Sequence, residues 1–310
     1  MRVLITGAAG HLGPPVCRAF IEDGATVRAL CHRTRLKIPG YRLEIAWGDV
    51  TKPDSVINAV QGVDAVVHMA GLLQPLTENN PHLAARVNIG GTRSVVDAVK
   101  STGRRIPLVY TSSTAVYGPC PDMDGVIDPD IQPLNPSTVY AQTKIEAENI
   151  IRESGIDYVI LRLTSIPYPR IRLSDAKNHL LTIPLRNRIE FCHPDDMAAA
   201  VLNSVKRIHA VKGQTLLIAG GPDHQMHFED MLKVVLGVFG LPLPPRGKFA
   251  TESFPLHWYD TTRSRKLLQF QSRTLDDYAK DLAANFPAPL VSVMRRVIGP
   301  ALGRLIVRLL

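Results

Sequence analysis

The stretch RVLITGAAGHLG, residues 2–13, decides the fold of this chain. Its β-branched, apolar run over residues 3–6 predicts a buried strand. A helical pattern of apolar residues then covers residues 12–23. Between strand and helix lie three glycines at three-residue spacing, which are Gly7, Gly10 and Gly13. The order of strand, glycine turn and helix predicts a phosphate-binding turn.

Glycine is needed in such a turn for a physical reason. A side chain would block the tight turn, the approach of a pyrophosphate to backbone amides, or the packing of the helix on the strand. Pro14 and Pro15 are tolerated in the first helical turn, where an amide has no intrahelical acceptor. The turn therefore predicts dinucleotide binding by Gly7, Ala9, Gly10, His11, Leu12 and Gly13.

Strand-like and helical patterns alternate as far as about residue 164. Short β-branched runs predict strands over residues 3–6, 26–30, 43–47, 65–69, 108–112 and 157–163. Apolar residues at spacings of three and four predict helices over residues 12–23, 55–61, 83–101 and 137–153. This alternation is typical of βαβ units, so we expect an α/β fold with a Rossmann-type, doubly wound parallel sheet.

The end of the second predicted strand carries cations instead of an acid. Dinucleotide-binding sheets place an Asp or Glu about 20 residues after the glycine turn, where it binds an unphosphorylated ribose. Here the sequence reads Cys31, His32, Arg33, Thr34, Arg35. Because Arg33 can pair with a 2′-phosphate, the sequence favours NADP over NAD. The alternative is that Arg33 and Arg35 are solvated loop charges.

A group of polar residues follows the fifth predicted strand. Ser113 lies at the carboxyl end of that strand, where ligands bind in open α/β sheets. Tyr140 and Lys144 are four residues apart in the helix predicted over 137–153 and share one face. The ordinary tyrosine pKa of about 10 is too high for acid–base work at neutral pH, and a nearby lysine cation favours the phenolate. We expect Ser113 to bind the substrate oxygen, Tyr140 to exchange its proton, and a nicotinamide to carry hydride.

Taken together, these motifs resemble the extended short-chain dehydrogenase/reductase family, whose members include NAD-dependent epimerases and dehydratases. The resemblance covers most of the chain and rests further on GDVTKPDSV, VVHMAG, VNIGGT, SSTAVYG, YAQTK, LRLTSIPYPR and FCHPDDMAAAV. It implies additional cofactor contacts from Asp49, Val50, Met69, Ala70, Gly71, Asn88, Thr111, Tyr140 and Lys144. It also implies substrate contacts from Ser112, Thr114 and Ser165.

Two departures separate this chain from the sugar-nucleotide members of that family. Leu163 stands where the family usually has proline, and Ser165 stands where sugar-nucleotide enzymes usually have asparagine. Residues 170–190 also form a shorter piece than those enzymes insert, without a G-D-G turn. We therefore expect a small or lipophilic carbonyl or alcohol as substrate. The alternatives are a nucleotide-sugar epimerase or dehydratase and, in another class, a non-catalytic protein that senses NADP or binds a partner.

The chain divides into three parts. Residues 1–165 are predicted as the dinucleotide-binding domain, to which later strands return, and residues 166–288 mainly as a small α/β substrate-binding lobe. Within 166–288, strands are expected over 189–191 and 215–218, and helices from Pro194, over 228–238 and near 275–284. Residues 289–310 form a basic amphipathic tail whose only charges are arginines. We expect this tail either to pack on protein or to contact a membrane peripherally.

Composition narrows the functional classes. The four cysteines lie far apart without a C-x-x-C pair, which argues against a zinc site or a disulfide framework and favours a reducing cytoplasm. A secretion signal is not expected, and no apolar run reaches the roughly 18 residues of a membrane span. The net charge of +8 comes without an aromatic-interleaved basic patch, so no nucleic-acid partner is expected.

No metal site is expected either. His224 and His227 are three residues apart, but the pattern places no third ligand together with them, and the loop is polar. Asp195 and Asp196 are expected to cap the helix that begins at Pro194. The family resemblance also implies a homodimer through the helices predicted over 83–101 and 137–153.

Overall fold

Seven parallel strands form the main sheet of the protein. The structure is a computed structural model that describes residues 1–40, 42–120, 125–167, 180–293 and 296. The strands are β1 Arg2–Thr6, β2 Thr26–Cys31, β3 Leu43–Trp47, β4 Ala65–His68, β5 Leu108–Ser113, β6 Tyr158–Leu163, β7 Arg188–Glu190, β8 Thr215–Ile218 and β9 Gln225–His227. The main sheet has the order β3-β2-β1-β4-β5-β6-β8, and all its neighbouring pairs are parallel.

Helices cover both faces of this sheet. The longer ones are α1 Gly13–Glu22, α2 Pro53–Val60, α5 Gly91–Ser101, α6 Val139–Arg152, α7 Pro194–Lys206, α9 Phe228–Gly237 and α11 Leu275–Ala284. The shorter ones are α3 Leu76–Asn79, α4 Pro81–Ala84, α8 Ile208–Val211, α10 Thr262–Leu268 and α12 Ala288–Val293. One face packs against α1 and α7, and the other packs against α2, α5 and α6. The expected Rossmann-type, doubly wound α/β fold is confirmed.

The strands of the main sheet are buried on both faces. In β1, Val3 and Ile5 pack towards α1 and α7, whereas Leu4 packs on the opposite side towards α2 and α5. Each of these side chains is fully buried, which stabilises the fold by about 1.5–3 kcal/mol per side chain. Because the strands are parallel, the carboxyl ends of β1, β4 and β5 meet at one edge of the sheet, directly beside the glycine turn.

A separate hydrophobic core holds the C-terminal lobe. Strands β7 and β9 pair antiparallel, with Ile189 opposite Met226. Helices α9 and α11 cover this pair and bury Phe228 and Tyr278. The strand predicted over 189–191 is thus shifted by one residue, and β9 was not predicted because three residues are too short for a strand pattern.

Two elements from residues 166–288 return to the main sheet. Strand β8 pairs with β6, and helix α7 packs against α1. The lobe itself is therefore built from the residues around β7, β9, α9 and α11.

The helix predicted over residues 83–101 is divided into three. Helix α4 ends at Ala84, a π-helical turn covers Ala85–Gly90, and α5 follows it. Asn88 is buried in this turn, and the Thr92 hydroxyl donates to its carbonyl oxygen at 2.6 Å. Helical periodicity could not reveal a wider turn, which often marks a functional position. The short helices α3, α8 and α10 were not predicted either.

Candidate active site

The glycine turn leaves no room for side chains. Gly7 has a φ of 71°, and a Cβ there would lie 2.7 Å from the amide nitrogen of Ala70. A Cβ on Gly13 would lie 2.2 Å from the carbonyl oxygen of Ala8. The Gly10 amide donates to the Gly7 carbonyl at 2.9 Å and closes the turn. Gly7 and Gly13 are thus fixed by close backbone contacts, which brings the start of α1 against β1 and β4.

A cleft of about 440 Å³ opens beside this turn. The predicted cofactor residues that line it are Gly7, Ala9, Gly10, Arg33, Asp49, Val50, Ala70 and Gly71. The predicted residues that do not line it are His11, Leu12, Gly13, Met69, Asn88, Thr111, Tyr140 and Lys144. A Cβ on Gly71 would lie 3.9 Å from Lys144 Nζ, so one end of the cleft reaches helix α6.

Sequence analysis missed ten residues of the lining, which are Leu30, Cys31, His32, Thr34, Gly48, Thr51, Leu72, Leu83, Arg86 and Val87. Six of them directly adjoin predicted cofactor positions in the sequence, which are His32, Thr34, Gly48, Thr51, Leu72 and Val87. Arg86 carries no such signal because it enters from the π-helical turn.

The other end of the cleft lies at the carboxyl end of β2. His32, Arg33 and Thr34 line it, and no carboxylate follows β2 directly. The nearest acid is Asp49, whose carboxylate lies 3.5 Å from His32 Nε2 and accepts the Thr51 amide at 2.9 Å. Burial acts to raise the pKa of Asp49, but the amide and side chain of Thr51 together with the nearby His32 and Lys52 outweigh it and hold the pKa below the ordinary value. Asp49 is thus an ionised acceptor within this end of the cleft.

Ser113, Tyr140 and Lys144 come together at the carboxyl end of β5. The Ser113 hydroxyl accepts the Ala115 amide at 3.2 Å and is also a hydrogen-bond partner of the Tyr140 hydroxyl. Lys144 Nζ lies 5.8 Å from the centre of the Tyr140 ring. Burial raises the pKa of Tyr140 to about 12, and the Ser113 hydrogen bond offsets this only in part. In the protein alone the tyrosine is therefore protonated at neutral pH, and the expectation that Lys144 favours its phenolate stays a prediction.

Lys144 is buried beneath the tyrosine. Its Nζ donates to the Thr111 carbonyl oxygen at 2.8 Å and lies 4.8 Å from the centre of the Tyr110 ring. Burial lowers the pKa of Lys144 to about 8, although the Glu148 carboxylate one turn further along α6 acts in the opposite direction. Thr111 thus contributes a carbonyl oxygen to the lysine.

Asn88 ties three elements together beside the lysine. Its Oδ1 accepts the Leu72 amide at 2.7 Å, and its Nδ2 donates to the Leu72 carbonyl at 3.2 Å and to Thr143 Oγ1 at 2.9 Å. The side chain is 2% exposed, and both ends of its amide are engaged by the protein. Asn88 therefore holds the segment after β4 against α6.

A buried histidine links β1 to β4 below the glycine turn. The Thr6 hydroxyl lies 2.7 Å from His68 Nδ1, and His68 Nε2 lies 3.1 Å from Thr92 Oγ1. The Thr6 oxygen accepts the amides of Met69 and Ala70, so its own proton goes to His68 Nδ1. Burial, and secondarily the Lys144 cation, lower the pKa of His68 to about 3. A neutral His68 thus braces the strand ends that carry the turn.

Two of the predicted substrate residues are engaged elsewhere. Ser112 points to the opposite face of β5 from Ser113 and donates to the buried carboxylate of Glu148 at 2.5 Å. Thr114 is 2% exposed, and its side chain is a hydrogen-bond partner of Tyr259. Both side chains are buried against protein groups, and their assignment to the substrate stays a prediction. Ser165 is half-buried just past the end of β6.

His193, Asp195 and Asp281 form a cluster with metal-ligand chemistry outside the cleft. His193 Nε2 lies 3.3 Å from an Asp281 oxygen. However, His193 Nδ1 accepts the Asp195 amide at 3.1 Å, so the ring proton lies on Nε2, the nitrogen a metal would need. His193 thus serves as the N-cap of α7, a role that sequence analysis gave to Asp195 and Asp196. Asp196 instead accepts the amides of Ser272 and Arg273.

The chain matches the NAD dependent epimerase/dehydratase family over residues 3–219. Sterol demethylase protein B of Methylococcus capsulatus is 31% identical over 174 residues, which are 54% of this chain and 52% of that protein. 3 beta-hydroxysteroid dehydrogenase type 7 of Rattus norvegicus is 36% identical over 124 residues, 37% of this chain and 36% of that protein. The chain thus spans about half the length, or less, of these curated relatives.

A solved structure shares the fold over nearly the whole chain. UDP-glucuronic acid 4-epimerase from Bacillus cereus, in complex with UDP-glucuronic acid and NAD, superposes with a TM-score of 0.77 at 19% identity. The match covers 94% of this chain and 99% of that one. Among the described residues, no helix has the length and apolar character needed to cross a membrane.

Proposed function

The chain belongs to the NAD dependent epimerase/dehydratase family, the extended short-chain dehydrogenase type, and we propose that it is an NAD(P)-dependent oxidoreductase. It acts on an alcohol or carbonyl carbon with Ser113, Tyr140 and Lys144 as its catalytic centre. The observation that carries this proposal is the contact between the end of β5 and α6, where Lys144 Nζ donates to the Thr111 carbonyl oxygen at 2.8 Å and lies 5.8 Å from the centre of the Tyr140 ring, with Ser113 two residues further along β5.

Each residue has a separate role in the proposed reaction. The cleft beside the glycine turn would hold a dinucleotide, whose nicotinamide would supply or accept hydride. For oxidation of an alcohol, the Tyr140 phenolate takes the hydroxyl proton while Ser113 donates a hydrogen bond to the same oxygen. For reduction, the protonated Tyr140 gives its proton to the carbonyl oxygen. The raised pKa of Tyr140 suits the second direction, and the Lys144 cation limits the energy of the phenolate in the first.

We propose NADP as the preferred cofactor and NAD as the alternative. Arg33 lines the end of the cleft that follows β2, and the residues directly after β2 include no carboxylate of the kind that usually binds an unphosphorylated ribose. Affinities for NADP⁺ and NAD⁺ should be measured by calorimetry in the wild type and in Arg33→Asp. A preference that Arg33→Asp leaves unchanged would refute the role of Arg33.

The proposed substrate is a lipophilic alcohol or ketone, with a 3β-hydroxysteroid as the first compound to test. The relatives whose names refer to sterols and steroids support this choice, as do Leu163 and Ser165 in place of the residues usual in sugar-nucleotide enzymes. A panel of a 3β-hydroxysteroid, a flavonoid ketone, simple ketones, UDP-sugars and dTDP-sugars should be followed by nicotinamide absorbance. Turnover of sugar nucleotides alone would favour the alternative, a nucleotide-sugar epimerase or dehydratase that retains its cofactor.

The alternative outside the enzymes is a non-catalytic protein that senses NADP or binds a partner. Such a protein should bind the cofactor without turnover of any compound in the panel. The hydrogen-bonded Ser113 and Tyr140 favour the enzyme, since a sensor has no need of this pair.

We propose that the protein divides into three parts near residues 165 and 288. The C-terminal tail is the third part. Residues 294, 295 and 297–310 lie outside the described part of the structure. The proposals for the tail therefore rest on its sequence, in which arginines are the only charged residues. Packing on protein and peripheral contact of a cytoplasmic enzyme with an anionic membrane are the two proposals. Flotation with anionic liposomes, with and without residues 290–310, distinguishes them, since equal flotation dismisses the membrane.

A homodimer through α5 and α6 is proposed on the family resemblance. The outward face of α5 exposes Arg93 and Asp97, and that of α6 exposes Glu146. A dimer through this face is therefore polar, and its association should weaken as salt is raised. Light scattering at about 0.05 M and 0.5 M salt tests this, and a monomer at both would refute it.

A further inference from the structure

One carboxylate from a distant segment lies at the start of the helix that carries Tyr140. The Glu78 side chain accepts the Val139 amide at 3.0 Å and the Tyr140 amide at 3.1 Å, one with each oxygen. Glu78 belongs to the short helix α3, about 60 residues earlier in the chain. It contacts the catalytic helix at the residue whose position the reaction depends on.

This contact completes the N-terminus of α6. The first amides of a helix have no partner within the helix, and here Glu78 takes two of them while the Thr138 hydroxyl takes that of Ala141 at 3.1 Å. A negative charge at this end also interacts favourably with the helix dipole. Of the first three amides of α6, two therefore depend on a side chain outside the helix.

Glu78 is itself fixed in place. The Thr77 hydroxyl donates to one of its oxygens at 3.0 Å. Burial acts to raise the pKa of Glu78, but the hydrogen bonds from the Val139 and Tyr140 amides and from the Thr77 and Gln74 side chains together outweigh it and hold the pKa below the ordinary value. The side chain is thus ionised at neutral pH and accepts at both oxygens.

The segment that carries Glu78 is also held at Leu72, six residues earlier. Asn88 engages both the amide and the carbonyl of Leu72 and also donates to Thr143 on α6. Leu72 lines the cofactor cleft. The segment from Leu72 to Glu78 is therefore fastened to α6 at one end through Asn88 and at the other through Glu78, and it connects the cleft to the tyrosine.

We propose that Glu78 is a positioning residue for Tyr140, which sets the tyrosine hydroxyl against Ser113 by holding the first turn of α6. The inference rests on the proposed role of Tyr140 in proton transfer. Glu78 touches neither cleft nor reacting atoms, so it acts on turnover and leaves cofactor binding unchanged. A residue that only stabilised the helix would change the free energy of unfolding without this selective effect.

The test compares Glu78→Gln and Glu78→Ala with the wild type and with Glu146→Gln, which removes an exposed carboxylate from the same helix. Three quantities are measured on the full chain: exchange of the Val139 and Tyr140 amides, the dissociation constant for NADP⁺, and single-turnover oxidation of a 3β-hydroxysteroid. Thermal unfolding verifies that each variant is folded. Tyr140→Phe is included to test the catalytic role itself.

We expect faster amide exchange at Val139 and Tyr140 in both Glu78 variants. We expect turnover to fall by about tenfold in Glu78→Gln, which keeps one acceptor oxygen, and by about a hundredfold in Glu78→Ala. The dissociation constant should stay within about twofold, and Glu146→Gln should match the wild type in all three.

Other results distinguish a failure of the positioning role from a failure of the proposed function. If Tyr140→Phe abolishes turnover while both Glu78 variants retain the wild-type rate, or if turnover and cofactor affinity fall together, the positioning role is overturned and the proposed function stands. If Tyr140→Phe retains the wild-type rate, or the wild type oxidises nothing, the proposed function fails. The amide exchange then still decides whether Glu78 holds the helix.

Discussion

The cofactor cleft and the C-terminal lobe differ in what their central contacts are made of. In the cleft, backbone meets backbone: Gly7 and Gly13 lie so close to the main chain that no Cβ fits. In the lobe, the buried carboxylate of Glu190 connects two distant segments of the chain. It accepts the Gly221 amide, 31 residues away, and the Tyr259 amide, 69 residues away, both at 2.7 Å.

Because of this difference, the two regions should be sensitive to different kinds of substitution. The cleft cannot accept an added methyl group, whereas the lobe depends on the presence and protonation of a particular side chain. A change in one region should therefore leave the property of the other intact.

Among the substitutions that test this comparison of the cleft with the lobe, Gly13→Ala should have the largest effect. Its Cβ would overlap the Ala8 carbonyl, and overpacking of this kind costs about 1–3 kcal/mol. If the turn itself shifts, cofactor affinity falls by up to about a hundredfold. Calorimetric titration with NADP⁺ measures this change in affinity. Gly237→Ala, whose Cβ meets open space in the lobe, is the matched control, and equal affinity in both variants would show that the turn tolerates the methyl group.

A smaller, pH-dependent effect is expected from Glu190→Gln. Burial raises the pKa of Glu190 above its ordinary value of 4.5, although the Tyr259 and Gly221 amides oppose this. The folded protein therefore holds this proton more tightly, so its contribution to stability is present below pH 4.5 and is lost as pH rises through the folded-state pKa. The glutamine variant should gain free energy of unfolding relative to the wild type over that interval, by about 1.4 kcal/mol per pH unit spanned. Cofactor affinity should not change.

Urea unfolding at several pH values measures this difference. A wild type that gains stability on the variant as pH rises would contradict the direction given for Glu190.

The smallest effect is expected from the helix caps in the two regions. Thr138 caps α6, and Thr274 caps α11 in a reciprocal box with Asp277. Alanine at either position should cost about 1 kcal/mol of stability, measured by thermal unfolding. Only Thr138→Ala should also slow turnover, because α6 carries Tyr140 and Lys144. Equal loss of turnover in both would mean that the lobe and the catalytic helix respond as one unit.

The same difference explains how far the sequence predicts the molecule. The glycine turn, the six strands before residue 164 and the pair of Tyr140 and Lys144 are local patterns, so their spacing was sufficient to place them. Family resemblance extended this to Asp49 and Val50, which line the cleft, whereas Asn88 does not line it.

The remaining features depend on contacts that no local pattern reports. Glu78 reaches Val139 across 61 residues, and Arg86 enters the cleft from a π-helical turn. The family resemblance implies a substrate contact from Ser112, yet alternation along β5 sends its hydroxyl to Glu148. His193 was passed over as a cap because the acids beside it fit the usual pattern better.

The most direct test of the proposed function is single-turnover kinetics of Tyr140→Phe, with NADP⁺ and a 3β-hydroxysteroid as the reacting pair. The variant keeps the ring and loses only the hydroxyl that meets Ser113. The account predicts that hydride transfer slows by about 10²–10⁴-fold while the dissociation constant for NADP⁺ stays within about twofold. A Tyr140→Phe variant that reduces NADP⁺ at the wild-type rate would contradict it.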